Sequence, residues 1–426
     1  MSRPLTVAVV GSGAAGLTAA WLLGRRYRVT LFEKNEHLGG HVSTVEIPDG
    51  ADAGTPVDTG FIVMNDRNYP TLTRLLDELG VPRQNTDMAF SFYDEESGRH
   101  YSSDLWGGLF AQRRNLVSPR FWRLLFDIRR FYRRALLDLD RQAVGQVSLG
   151  EYLAAGGFRE DFIRDHILPM GAAIWSTPPA EMMSFPAASF LHFFRNHGLL
   201  ELDNRPQWMT LVGGSRSYVR RIAETFAGEV RLNSPVVSVA RGAEGVQVRA
   251  RDGESQSFDR VVLAAHADES LALLKDADDE ERRWLGPWTY SRNETVLHRD
   301  ESAMPPSRDA WASWNFIRER GASDAAPASV TYYMNRLQQL KTENAWLVSL
   351  NRRRPVPDEY RVRTFLYTHP TYTAASMATQ RDLPSLNGRR GTFFCGSYFG
   401  YGFHEDAVKS GAAVARQMGV EWGTDA

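Results

Sequence analysis

The chain has 426 residues, 43% of them apolar and 24% charged, with a formal net charge of −1. That length exceeds what a single core usually fills and predicts two closely associated domains, while the near-zero charge excludes a global field of the kind that gathers nucleic acid. The single cysteine, Cys395, excludes an internal disulfide framework and any cysteine-based metal cluster.

The chain reaches its first strand too early to accommodate a signal peptide, and no apolar run approaches the ~20 residues a bilayer crossing needs. The expectation is a cytoplasmic protein, with contact to the inner face of the cell membrane left open. Val7 to Val10 is a short apolar strand that leads into Gly11-Ser12-Gly13-Ala14-Ala15-Gly16. Leu17 to Arg25 then reads as a helix, and a second strand, Val29 to Phe32, ends at Glu33 and Lys34. Strand, glycine-rich turn, helix, strand, acid is the dinucleotide-binding fingerprint in the context it requires. The glycines let the backbone approach a pyrophosphate on the positive N-terminus of the helix, and Glu33 is placed to accept hydrogen bonds from a ribose. A second doublet follows at Gly39-Gly40-His41, and after one hairpin comes Asp58-Thr59-Gly60-Phe61-Ile62.

Tyr69 to Leu79 is an amphipathic helix stopped by Gly80, and residues 90–101 read as a hairpin. From 105 to 139 the sequence is helical and strongly basic, with arginines at 113, 114, 120, 123, 129, 130, 133 and 134 among Phe121, Trp122, Phe126, Phe131 and Tyr132. Two readings stand: a core helix with a solvated basic face, or a surface segment at 113–134 that docks on anionic phospholipid headgroups. Ser148 and Glu151 have capping-box spacing. Pro169 to Pro179 reads as a loop, Met182 to His197 as a helix, and Gly213-Gly214-Ser215 as a turn into another helix. Residues 230–239, 246–250 and 258–265 are strands. Further strands at 294–297, 310–316, 329–334 and 346–349 predict a mixed sheet, with a helix near 357–364. A last strand at 392–397 ends in a turn, and Gly402 opens the final helix.

The stretch from Gly11 to Gly40 resembles the extended fingerprint of FAD enzymes in the flavin amine-oxidase and phytoene-desaturase superfamily. The run Gly402-Phe403-His404-Glu405-Asp406-Ala407, with Ser410-Gly411 beyond it, resembles the closing motif of the same enzymes. The resemblance implies an α/β fold: a Rossmann-type FAD domain (1–68, 205–270 and 388–426) interleaved with an α+β substrate domain (69–204 and 271–387). It implies FAD contacts at Gly11 to Gly16, Glu33, Lys34, Gly39 to His41, Gly60 to Ile62, the Val237 backbone, Gly396, Ser397 and Phe403 to Ala407. His41 stands where these enzymes usually carry arginine, and Ser397 where they carry an acid. Phrases such as GFIVMN at 60–65, PMGAAIWS at 169–176 and GYGFHED at 400–406 resemble, more narrowly, a bacterial group associated with fatty-acid methylating enzymes, whose type member desaturates phospholipid acyl chains in furan fatty acid synthesis.

The resemblance therefore implies hydride transfer from a lipid acyl chain to flavin N5 and a functional link to a fatty-acid methyltransferase. A flavin amine oxidase releasing hydrogen peroxide, and a low-turnover flavoprotein partner of such a methyltransferase, are the competing readings. Glu294 aligns with the lysine of amine oxidases, either as a general base or as a solvent-facing partner of Arg292. His404 and Tyr401 are the other catalytic candidates, with helix capping and core packing as their ordinary alternatives. Phe190, Phe193, Phe194, Leu199 and Leu200 either line an apolar path for a chain or fill a helical core.

Overall fold

The computed structural model describes residues 4–104, 107–201 and 205–422. Leu105 and Trp106, which open the basic segment, lie outside the described residues, as do the ends of the expected FAD domain at 1–3 and 423–426 and the 202–204 end of a substrate segment.

Five parallel strands form the first sheet, in the order 229–231, 28–32, 6–10, 260–263 and 392–394. Three of them, 6–10, 260–263 and 392–394, are apolar on both faces and almost wholly buried, as expected where helices or further strands cover a parallel sheet. The helix Ala14–Leu23 follows the first strand, and all ten of its residues are buried. A helix with no polar face needs cover on every side. The last helix, His404–Gln417, supplies part of that cover. It crosses where Gly411 sits against the Ala15 carbonyl: a Cβ there would lie 2.2 Å from that oxygen. The two ends of the chain are thereby joined.

A second sheet of seven strands runs 361–371, 289–298, 347–350, 329–333, 314–318, 90–94 and 99–102, antiparallel except between 314–318 and 90–94. The strands expected at 294–297, 329–334 and 346–349 fall in it, and the one expected at 310–316 begins only at Trp314, after a 3₁₀ turn at Arg308–Ala310. Helices Pro119–Asp140, Leu168–Trp175 and Ala187–Asn196 bury Phe131, Trp175, Phe190 and Phe194 in the same core as Phe92 and Phe316 of this sheet. The arrangement, a parallel Rossmann-type sheet beside a mixed sheet, is the one that the resemblance implies. A small sheet of 63–65, 208–211 and 83–86 and a three-stranded sheet of 236–242, 245–250 and 255–258 stand beside them.

Three expectations are corrected. Residues 169–179 are mainly helical, over Leu168–Trp175. Pro169 directly follows a π turn, Ile163–Ile167, in a helical run that begins at Glu160, and the widened turn accommodates the missing N–H; Gly171 leaves room for Met182 and Phe190, whose atoms would lie 2.9–3.0 Å from a Cβ. The small residues serve close packing, which in sequence resembles loop composition. The expected helix near 357–364 is a single 3₁₀ turn, Asp358–Tyr360, followed by the eleven-residue strand Arg361–Thr371. That strand pairs only with 289–298 and is a sheet edge, so its arginines face solvent and obscure the alternation. The helix expected from Met182 to His197 spans Ala187–Asn196, started after Pro186.

Candidate active site

Three glycine-bearing segments meet at the end of the first helix. Gly11 has φ +100°, and its N–H donates to the Phe32 carbonyl at 2.9 Å. Gly39 N–H donates to the Ser12 carbonyl at 3.1 Å, and Phe61 N–H to the His41 carbonyl at 3.0 Å. A Cβ on Gly40 would lie 3.1 Å from the Gly13 Cα, so the doublet lies directly against the first turn.

Glu33 is buried at the end of its strand. One carboxylate oxygen accepts from Ser12 N–H (3.0 Å) and Ser12 Oγ (2.5 Å), the other from Asn35 N–H (2.9 Å) and Nδ2 (2.8 Å). Lys34 turns outward to pair with Glu269 at 3.0 Å. Val237 sits at a bulge: the ladder passes from Val236 to Ser238, leaving the Val237 backbone outside the paired register and its side chain exposed.

Asp58 holds this corner together. Its carboxylate accepts from Thr44 Oγ1 (2.6 Å), Ser215 N–H and Oγ (both 2.9 Å) and Gln338 Nε2 (3.0 Å), while its own N–H donates to Gln338 Oε1 (2.8 Å). Burial outweighs these donors and pushes the carboxyl up to about 7.

The closing turn brings the far end of the chain to the same corner. His404 stacks on Phe61 with ring centroids 3.8 Å apart, and its Nε2 lies 2.6 Å from the Tyr218 hydroxyl. Burial lowers His404 to about 3, so it is a neutral ring at physiological pH. Asp406 accepts from Tyr401 and Phe403 N–H at 2.9 and 3.0 Å and fastens the turn; burial raises it to about 6. Gly396 N–H donates to Ser410 Oγ at 2.9 Å, and the Ser397 carbonyl accepts from Gly402 N–H at 3.2 Å. Ala407 and Ile62 are buried. The Ile62 carbonyl accepts from Thr210 Oγ1 at 2.9 Å.

Beside His41 lies a group of rings that the sequence reading missed. Tyr367 and His369, on the edge strand, are 5.1 and 5.8 Å from the His41 ring, and His266 is 6.2 Å away and stacked on Tyr290. Burial, then repulsion from His369 and His266, lowers His41 to about 3, and its buried Nε2 has no hydrogen-bond partner among the described residues. No local motif marked these residues. His369 and Tyr367 come to the site only through the register of the 361–371 strand.

Two expected roles are corrected. Glu294 lies on the exposed face of its strand, while its neighbours Asn293 and Thr295 are buried. Side chains alternate along a strand, so Glu294 faces away from the interior and has no geometry for a general base there. The Glu405 carboxylate accepts from Thr71 and Leu72 N–H at 2.9 and 2.8 Å, capping the helix Pro70–Leu79. It is spent on structure. Tyr401 is partly buried, its ring 6.3 Å from Phe193, and burial raises its hydroxyl above the usual tyrosine value.

A family model described as flavin containing amine oxidoreductase matches residues 14–288, well over half of the chain. The chain belongs to that family. FAD is the cofactor that this family implies. The residues fit the cofactor: a Cβ on Gly13 would meet nothing within 4 Å, no side chain caps the helix Ala14–Leu23, and the unpartnered His41 Nε2 adjoins the same doublet. Among curated relatives, L-amino-acid oxidase of Mus musculus is 25% identical over 263 residues, 58% of this chain and 39% of that protein. The chain thus spans well under two thirds of that relative. A 1-hydroxycarotenoid 3,4-desaturase of Flavobacterium sp. is 32% identical over 94 residues, 22% of this chain and 17% of that protein. Among solved structures, a CLA-producing fatty acid isomerase from P. acnes superposes with TM-score 0.67 at 16% identity, covering 98% of this chain and 99% of that one. At that identity the likeness is one of fold.

Proposed function

We propose that this flavoenzyme dehydrogenates a lipid acyl chain, in the synthesis of methylated or furan fatty acids. FAD, when bound, supplies the two-electron acceptor for the hydride. Gly11 to Gly16 and the Gly39-Gly40 doublet would hold its diphosphate, the Val237 backbone its adenine edge, and Phe61 and the closing turn its ring end. The observation that carries the reading is the aromatic cluster packed against that turn, whose inner rings are buried. Phe403 stacks on Phe193 at 4.7 Å, and Phe193 adjoins Trp175 at 4.8 Å, with Phe190 and Phe194 stacked at 4.1 Å behind them. Such a surround takes up a hydrocarbon at no polar cost and offers an ammonium group only the cation–π attraction of its ring faces. The displacement of Glu294 to the outside removes the lysine-equivalent group from the centre. The neutral His404, held by Tyr218, positions the closing turn against Phe61 and carries no charge into the site.

The relatives divide between amino-acid and carotenoid substrates, so an amine oxidase releasing hydrogen peroxide is the second reading, favoured by the mouse relative. Anaerobic mixing separates them. The holoenzyme is offered phospholipids with monounsaturated chains, then L-amino acids and polyamines, while flavin absorbance and lipid mass are followed. Bleaching by the lipid with loss of two hydrogens from the chain is expected. Bleaching by amines alone overturns the proposal, and bleaching by neither points to a low-turnover partner of a lipid methyltransferase.

A further inference from the structure

The helix Pro119–Asp140 has two unlike faces. Its inner face carries Phe121, Leu124, Phe131, Tyr132 and Ala135 into the core. The outer face is not the polar surface that core packing alone would leave. Phe126 is 60% exposed and Trp122, one turn earlier, 49%. The 3₁₀ turn Arg113–Val117 extends the same patch: Trp122 Nε1 donates to the Leu116 carbonyl at 2.9 Å, and Val117 is 82% exposed.

The charges around this patch are only partly paired. Arg120, Arg130 and Arg134 are engaged with Asp161, Asp127 and Asp138. Arg113, Arg123, Arg129 and Arg133 are exposed and have no carboxylate within ion-pair distance among the described residues. Trp122, Phe126, Arg129 and Arg133 recur at helical spacing and share one face. In a chain of net charge −1 this is a local concentration of positive charge around large apolar side chains.

We propose that this face docks the enzyme onto an anionic lipid bilayer surface, with Val117, Trp122 and Phe126 entering the headgroup–acyl boundary and the four free arginines on lipid phosphates. A two-fold contact between copies of this chain would set the unpaired arginines against one another. Nucleic acid would satisfy the arginines but leaves Leu116 and Val117 without apolar cover. A bilayer interface satisfies both. No helix among the described residues is long and apolar enough to cross a membrane, so the attachment is to its surface. The inference stands on this patch alone and holds whatever the substrate.

Flotation of the holoenzyme with vesicles tests it. Wild type should float with phosphatidylcholine vesicles containing phosphatidylglycerol, not with phosphatidylcholine alone, and should be released by high salt. Arg129→Glu with Arg133→Glu should weaken partition by about tenfold or more, and Trp122→Ser with Phe126→Ser should do likewise with the charge intact. Arg251→Glu with Arg282→Glu makes the same net-charge change elsewhere and should leave binding unaltered. All substituted side chains are solvent-exposed, and flavin content and thermal midpoint serve as folding controls. Absence of flotation with anionic vesicles overturns the proposal, as does binding indifferent to both 122/126 and 129/133. A vesicle-free dimer abolished by the 122/126 pair would assign the face to a second copy instead.

Discussion

Acidification should destabilise this protein already at mildly acid pH, because it holds neutral histidines away from water. His41, His166 and His404 are lowered to about 3, and His197, His298 and His369 to about 4, in each case chiefly by burial. For a depressed pKa the stabilisation is complete above the unfolded value of 6.5 and is lost as pH falls toward the folded value. Between pH of about 7.5 and about 5.5 each histidine withdraws about 1.4 kcal/mol, about 8 kcal/mol for the six. Asp58 and Asp406 act oppositely. Their carboxyls are raised to about 7 and about 6, so their stabilisation is present at low pH and lost as pH rises through those values. Over the same interval they return about 3 kcal/mol, leaving a net loss of about 5 kcal/mol, a large part of a typical folding free energy. Three of the six histidines, His41, His369 and His404, stand at the proposed FAD site, so loss of FAD should accompany the transition. Urea unfolding followed by far-ultraviolet circular dichroism and flavin fluorescence at the two pH values measures it. A midpoint equal or higher at the lower pH would refute the reasoning.

Gly411→Ala puts a methyl 2.2 Å from the Ala15 carbonyl oxygen, which belongs to a backbone that cannot swing aside. It should cost about 1–3 kcal/mol, lower the thermal midpoint and weaken FAD retention, measured by flavin content after gel filtration. Glu294→Gln should leave the rate of anaerobic flavin reduction within about twofold, since general-base removal costs about a hundredfold or more; a larger loss in stopped-flow traces would return Glu294 to the mechanism. Asp58→Ala strands the buried donors of Thr44, Ser215 and Gln338 and should destabilise by about 2–4 kcal/mol, read as a lowered denaturation midpoint.

The cofactor and the fold class were legible because their signals are local. A strand, a tight glycine turn and a buried helix must follow one another for a diphosphate to meet backbone N–H groups, and that order is written in Val7 to Leu23. The same holds for the capping box at Ser148, where side chain and backbone partners are neighbours in sequence. What local pattern could not tell was which way a side chain faces on a strand whose two sides both carry polar residues. Asn293, Glu294 and Thr295 are all polar, yet only Glu294 is exposed, because the register with 347–350 and 361–371 decides the inward face. The His41, His266, Tyr290, Tyr367 and His369 group likewise comes from separate segments and exists only once the sheet edge meets the doublet. Glu405, adjacent to His404 in the closing motif, was drawn away by unpaired N–H groups of a helix some 330 residues earlier. Sequence by itself determined the cofactor, since phosphate recognition is done by contiguous backbone. Tertiary structure decided which residues stand at the reacting end, since that end is assembled from strands and turns whose facing depends on partners far along the chain.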